Sequence, residues 1–237
     1  MTGKLTLVPT PVGNLQDMSF RAVETLKNAD AILAENTRNS RILLKHFDIK
    51  TNLISHHKFN EHKTSEKLAQ AMHKGAHYAL ISDAGTPAIS DPGYLLVTYC
   101  IKYDVTVECI PGPTAFVPAL AVSGLPNDSF VFEGFLPHKK GRMKRIKALE
   151  NEQRTMVFYE SPYRVIKLLE QLSEILGPER HASVSRELSK KFEETKRGSL
   201  SKLAAHFKEH KPRGEFVVVV SGEKKHNIND NFKTHRK

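Results

Sequence analysis

Residues 155–185 read TMVFYESPYRVIKLLEQLSEILGPERHASVS, and the spacing of their apolar side chains changes period twice. The opening TMVFY is a short β-branched and aromatic run of the kind that forms a buried strand. Ser161 and Pro162 then suit a helix cap and first helical position, and Val165, Leu168, Leu169, Leu172 and Leu176 fall on one stripe at helical spacing. Gly177 suits the left-handed residue past the helix end, and Pro178 blocks continuation. The run ASVS at 182–185 resumes a strand, so this stretch predicts strand, helix, strand.

The same alternation extends in both directions. Strand-like runs stand at 5–8 (LTLV), 31–34 (AILA), 78–82 (YALIS), 105–110 (VTVECI), 130–132 (FVF) and 216–220 (FVVVV). Between them lie helical periods, such as Phe20, Val23, Leu26 and Ala29 after a cap at Ser19. Strands alternating with helices predict an α/β fold with largely parallel sheets; strand order is not readable. No internal repeat is visible. The turn PGP at 111–113, the Ala/Val-rich run after it and GLP at 124–126 mark a seam, giving domains at 1–117 and 118–222. Residues 223–237 are polar and basic and are expected to be a disordered tail.

Composition removes several classes of function. The longest apolar run is far below the roughly 18 residues of a membrane span, so no membrane association is expected. One Lys precedes a short apolar stretch that Pro9 and Pro11 interrupt, which is not a signal peptide, and cytoplasmic residence is expected. The two cysteines, Cys100 and Cys109, read as small apolar side chains. Neither G-x-G-x-x-G after the first strand nor a P-loop occurs, and Ser161 lies in no G-x-S-x-G elbow. ATP hydrolysis, ordinary NAD binding and serine hydrolysis therefore lose support. His56, His57 and His62 stand near Glu61 without zinc-like spacing, and no metal is expected.

Two features point to ligands. Gly- and Pro-rich turns follow three predicted strands, at 9–14 (PTPVGN), 83–93 (DAGTPAISDPG) and 111–113 (PGP). In an α/β sheet, ligands bind beyond the carboxyl ends of strands, so three such turns in one domain favour a small-molecule site over mere chain reversal. The second feature is charge. Of the formal net charge of +10, residues 1–117 hold 12 basic and 11 acidic side chains and residues 118–237 hold 24 and 15. The densest piece, HKKGRMKRIK at 138–147, has six cations and no acid, whereas a solvated helix face interleaves both signs. Unopposed cations at that density fit a phosphate-bearing partner.

The motifs LVPTPVGN (7–14), AENTR (34–38), SDAGTPAISDPG (82–93), PGPTA (111–115), GLPNDSFVFEGFLP (124–137), TMVFYESP (155–162), SREL (185–188) and PRGEFVVVV (212–220) occur in this order. Together they resemble the ribosomal-RNA branch of the tetrapyrrole methylase superfamily over about residues 4–222. The resemblance implies two α/β domains with S-adenosylmethionine in the cleft between them, usually in a homodimer, and 2′-O-methylation of a cytidine in 16S ribosomal RNA. It places cofactor contacts at Pro11, Gly13, Gly85, Thr86, Ile89, Thr114, Ala115, Glu160, Gly214 and Glu215. Thr86 stands where tetrapyrrole-acting relatives carry Asp, so that contact is neutral or Asp83 supplies the carboxylate. Methylation of a small tetrapyrrole-like substrate and a non-catalytic RNA-binding assembly role are the alternatives.

Methyl transfer to a ribose hydroxyl rests mainly on positioning, with a base assisting late proton loss. Glu35 is the first candidate base, because it ends a predicted strand at the ligand edge, and Arg38 is a candidate clamp for a phosphate or carboxylate. A helix-capping ion pair between these two is the structural alternative. Two departures bear on this site: the branch usually reads Glu-Asp-Thr-Arg where Glu35 is followed by Asn36, and often His-Asn-Glu where Phe59 precedes Asn60 and Glu61. For RNA, the expected contacts are Lys139, Lys140, Arg142, Lys144, Arg145, Lys147 and Arg154, with bases stacking on exposed aromatics such as Phe59 or Tyr163.

Overall fold

The computed structural model of the chain describes residues 3–223, and its contacts divide it into two units between Thr114 and Ala115. Apart from Glu223, the tail expected from the sequence lies outside the described residues.

The first unit runs β1 (Lys4–Leu7), α1 (Phe20–Asn28), β2 (Ala31–Ala34), α2 (Thr37–His46), β3 (Leu53–Ser55), α3 (Glu61–His73), β4 (His77–Ile81), α4 (Tyr94–Lys102) and β5 (Thr106–Cys109). Its five strands form one sheet in the order β3-β2-β4-β1-β5, and every pairing is parallel. Alternate residues of the strands feed two cores, as a two-layered wrap requires. Ile32, Ala34, Ala79 and Ile81 meet Ala22 and Leu26 of α1 and Leu44 of α2. On the other face Leu5, Leu7, Leu33 and Leu80 meet Ala69 and Met72 of α3 and Leu96 and Cys100 of α4. The Ser19 hydroxyl caps α1 by accepting from Ala22 N at 3.1 Å, but Phe20 is 94% exposed and the buried stripe runs through Ala22 and Leu26.

The second unit runs α5 (Phe116–Ala121), β6 (Phe130–Phe135), α6 (Arg142–Lys147), β7 (Thr155–Glu160), α7 (Val165–Leu176), β8 (His181–Arg186), β9 (Glu194–Ser199), α8 (Leu200–Glu209) and β10 (Phe216–Val220). Its sheet order is β6-β7-β10-β8-β9. Only β6 and β7 pair in parallel; β10 is antiparallel to both β7 and β8, and β9 to β8. The expectation of largely parallel sheets therefore holds for the first unit and fails for the second. Strand β8 is followed by β9 with no helix between them, so the chain reverses at that hairpin; β9, α8 and β10 continue in the reversed direction, and β10 inserts between β7 and β8.

Met156, Phe158, Val218 and Val220 face α6, α7 and α8, while Val157, Val217 and Val219 face Ala119 and Leu120 of α5. That second contact draws residues 115–117 into the second unit, so the division falls three residues before the sequence-based boundary. The helix expected from Ser161 starts later, at Val165, with Gly177 at φ +99 past its end. Residues 161–164 instead form a turn, in which the Arg164 and Val165 amides donate to the Ser161 carbonyl.

Candidate active site

Because the first sheet is all parallel, its five carboxyl ends share one edge. The helix after β4 packs on one face, while those after its neighbours β1 and β2 pack on the other. The loop leaving β4 thus parts from the loops on either side, which is where open α/β sheets bind ligands.

On the β1 side three loops are tied together. Thr10 and Gly85 exchange two backbone hydrogen bonds of 2.9 Å, and the buried Thr10 hydroxyl donates to the Ser82 carbonyl at 3.1 Å. The Thr86 hydroxyl donates to the Pro113 carbonyl at 3.1 Å and lies 2.9 Å from the Thr114 hydroxyl. A Cβ on Gly85 would meet Val12 at 3.6 Å and Pro113 O at 3.7 Å; on Gly112 it would meet Pro9 at 2.7 Å. Only glycine at 112 lets the loop after β5 lie this close to the loop after β1. Gly85, Thr86 and Thr114 are therefore brought together, and Pro11 and Gly13 flank Val12 on the neighbouring loop after β1. Asp83 is exposed and accepts from Asn39 Nδ2 at 3.1 Å, and Ile89 is exposed farther along the same loop.

On the β2 side lies a cavity of about 440 Å³ whose lining includes Glu35, Lys58, Glu61, His62, Asp91 and Tyr94. Ala88 at φ +67 and Ser90 at φ +65 hold left-handed conformations that cost an L residue about 1–2 kcal/mol each. They set the path of the chain just before Asp91. Burial, reinforced by Asp83 and Glu61 and opposed by His57, raises the Glu35 carboxyl above its ordinary range. Asp91 is pushed up to about 6 by burial first, then by the Glu35 and Asp83 charges. A hydrogen bond from Ser82, whose hydroxyl also lies 3.2 Å from the Gly85 carbonyl, opposes that rise. Asp91 is the functional candidate that sequence reading missed; its signal was a second acid in the same Gly/Pro loop.

Arg38 is exposed in the first turn of α2 and makes no ion pair with Glu35 among the described residues. Asn36 explains its own presence: its side-chain oxygen caps α2, accepting from Arg38 N at 3.1 Å and Asn39 N at 3.3 Å, a role Asn and Asp fill about equally. Asn60 likewise orders its loop, accepting from His57 N at 2.8 Å and donating to Ser55 O at 3.0 Å. Phe59 beside it is 88% exposed. Among the described residues no group of three His, Cys, Asp or Glu is placed to hold a metal.

In the second unit Glu160 closes β7 beneath the surface. Its carboxylate accepts from Arg142 Nη2 at 2.9 Å, from Arg164 Nε at 2.8 Å and from its neighbour's amide, Ser161 N, at 2.9 Å. Arg142, expected to meet RNA, is 3% exposed and also donates to Gln171 at 2.8 Å, so this guanidinium is a structural cation and not a phosphate contact. Its position in α6 turns it inward beside Ile146, while Lys139, Lys140, Lys144 and Lys147 are exposed and form no ion pair among the described residues. Arg145 and Arg154 are half exposed, and each is held by a carboxylate, of Glu133 and Glu152. Tyr163 is fully in solvent.

Gly214 and Glu215 meet the loop after β8. Glu187 N donates to the Glu215 carbonyl, and the Glu187 carboxylate accepts from Glu215 N and Lys190 Nζ, all at 3.0 Å. Gly214 has φ +84, and a Cβ there would lie 2.3 Å from the Glu187 carboxylate. Gly214→Ala should therefore destabilise the protein by about 1–3 kcal/mol, read as a lower urea midpoint at unchanged slope. A wild-type midpoint would contradict this packing. Ala115, also expected at the cofactor, is half-buried at the head of α5.

Comparison with known proteins agrees across both units. The family model for tetrapyrrole (corrin/porphyrin) methylases matches residues 4–204. The ribosomal RNA small subunit methyltransferase I of Thermotoga maritima is 44% identical over 221 residues, 93% of this chain and 99% of that one. Among solved structures, diphthine synthase superposes with a TM-score of 0.75 at 15% identity, covering 97% of this chain and 94% of that one. The uroporphyrin-III C-methyl transferase of Thermus thermophilus complexed with S-adenyl homocysteine gives 0.66 at 18%, covering 92% and 97%.

Proposed function

We propose that this chain, which belongs to the tetrapyrrole methylase family and within it to the ribosomal RNA small subunit methyltransferases I, transfers a methyl group to a cytidine ribose 2′-hydroxyl of 16S ribosomal RNA. The observation that carries the reading is 44% identity sustained over 93% of this chain and 99% of a relative bearing that name. S-adenosylmethionine, when bound, supplies an electrophilic methyl on a sulfonium. The residues present suit it: Gly85 and Gly112 let the loops after β1, β4 and β5 converge, and the Thr86–Thr114 hydroxyl pair offers neutral polar contacts beside them. In the first unit Pro11, Gly13, Asp83 and Ile89 complete the proposed cofactor contacts, and in the second unit the proposed contacts are Ala115, Gly214 and Glu215. Glu160 supports them through its backbone, because Arg142, Arg164 and Ser161 occupy its carboxylate.

The chain's own task is to place the ribose hydroxyl and receive its proton. Positioning carries most of the rate, and the proton leaves late, so a modest base suffices. The cavity beside β4 brings together the carboxylates of Glu35, Glu61 and Asp91, and burial raises the proton affinity of Glu35 and Asp91. Asp91, with a pKa of about 6, is ionised at neutral pH and still basic enough to accept a proton. The nearby Glu35 charge helps to raise it, so the environment tunes the acid for proton transfer. Lys58 on the same cavity supplies a cation for a substrate phosphate.

The test is methyl transfer from tritiated cofactor. Label in 16S RNA of isolated 30S subunits supports the reading; label only in a tetrapyrrole, or none in any acceptor, overturns it. Lys139→Glu, Lys140→Glu and Lys144→Glu should each weaken RNA binding and lower the salt slope by about 1 for every phosphate no longer neutralised, with cofactor affinity kept. Equal binding at all salt concentrations would remove this surface from the RNA path.

A further inference from the structure

The edge strand β6 carries a bulge. Phe132 pairs with Val157 and Gly134 with Phe158, so Glu133 is an extra residue with no partner in the ladder. A bulge resets the alternation of side chains, and here it puts Phe135 on the same face as Phe132 although they are three apart. Both rings contact Tyr159, at centroid distances of 5.1 and 5.4 Å. The displaced Glu133 is not wasted: its carboxylate, 2% exposed, accepts two hydrogen bonds from Arg145, of 2.6 and 2.8 Å. This neutralises the acid and fixes the Arg145 guanidinium as a flat, oriented plate. Around these groups is a cavity of about 450 Å³, lined by Phe132, Phe135, Pro137, Lys144 and Arg145 among others.

We infer that this pocket is a nucleobase subsite, which takes one unpaired base of the substrate RNA strand while the neighbouring phosphates meet Lys139, Lys140 and Lys144. The inference rests on the RNA reading above and names a contact for it. A π-faced wall and a pinned guanidinium stack a base without regard to its identity, and the 55% exposure of Phe135 leaves the ring open to it. Charge settles the occupant. Among the described residues, the one acid lining the pocket is already paired with Arg145, so Lys144 adds an uncompensated positive charge, which suits a polyanion better than an apolar segment. Bulges on sheet edges commonly re-aim side chains beside binding sites, which is what this one does.

The chain contains no tryptophan, so Phe135→Trp installs a single fluorescent reporter in the pocket. Titrating the full-length variant with an oligocytidylate of about 12 nucleotides should quench that emission in step with binding, as base stacking does. Phe135→Ala should bind the same oligonucleotide about 5- to 100-fold more weakly with an unchanged salt slope, while Lys144→Gln should lower the slope by about 1. Binding without quenching, or wild-type affinity in Phe135→Ala, overturns the subsite. So does a Trp emission that shifts on protein dilution without RNA, because a second copy of the chain would then occupy the pocket. If the Trp variant binds and quenches as expected yet wild-type protein labels no 16S RNA, the methylation reading fails and the subsite stands.

Discussion

Asp91→Asn should lower methyl transfer at about pH 7.5 by 10²- to 10⁴-fold, the usual worth of a positioned proton acceptor, while making the protein more stable. The two effects have one cause. Burial and the Glu35 and Asp83 charges push the Asp91 carboxyl from 3.8 up to about 6, so the folded protein binds that proton more tightly than the unfolded chain does. Stability from this group is thus fully present below about pH 4, falls as pH rises towards about 6 and stays lost above it. Asn carries no charge to bury. With the half-buried site discounted for solvent screening, the variant should gain about 1 kcal/mol above pH 6, or roughly 2–4 °C, and nothing below pH 4. The wild-type rate should rise through about pH 6 as Asp91 ionises. Glu35→Gln removes the neighbouring charge and should move that midpoint to lower pH, which a merely structural acid would not do. A rate independent of pH across this range, or an Asp91→Asn variant with normal turnover, would remove Asp91 from the mechanism.

Arg142→Ala should cost about 3–5 kcal/mol, because it leaves a buried carboxylate short of its partner. Arg142 and Glu160 have side chains 3% and 1% exposed, so the lost guanidinium leaves the carboxylate without that compensating charge. Arg164, the other cation on Glu160, is 23% exposed and keeps only one oxygen satisfied. At about 2–4 °C per kcal/mol for a chain of this size, the melting temperature should fall by roughly 6–20 °C. The opposite pattern is expected at Lys144, where replacement changes RNA affinity and leaves melting near wild type. Below its melting point Arg142→Met should keep the wild-type salt dependence of RNA binding. A flattened salt slope in that variant, with little loss of stability, would return Arg142 to the RNA surface and refute the buried pairing.

Arg142 shows where local reading reaches its limit. In the sequence it is one of six cations in ten residues, indistinguishable from Lys140 or Lys144. One turn of helix decides that it faces Gln171 and Glu160, and those partners come from distant parts of the chain. Strand β9 is illegible for a related reason: ETKRGS has no apolar period, because an edge strand with one neighbour needs only backbone pairing to β8. The three residues of β3 are too few to show a period at all. Asn36 reads in the sequence as a missing carboxylate, and only its geometry shows a helix cap.

Local features follow from the sequence alone: the alternation of strands and helices, the three Gly/Pro loops, the basic segment and the ordered motifs of a methylase. These depend on spacing, turn chemistry and charge within short windows. Pairing direction and side-chain neighbours depend on where the chain returns, and that is decided only by the fold. Because β2 and β4 lie side by side, Glu35 and Asp91 share one cavity, and the Glu35 charge raises the proton affinity of Asp91. Because β10 inserts in reverse between β7 and β8, the second sheet is mostly antiparallel. Because one residue bulges from β6, two phenylalanines three positions apart face the same pocket. Each arrangement depends on segments that meet only once the backbone has closed around them, and until then its energy does not exist.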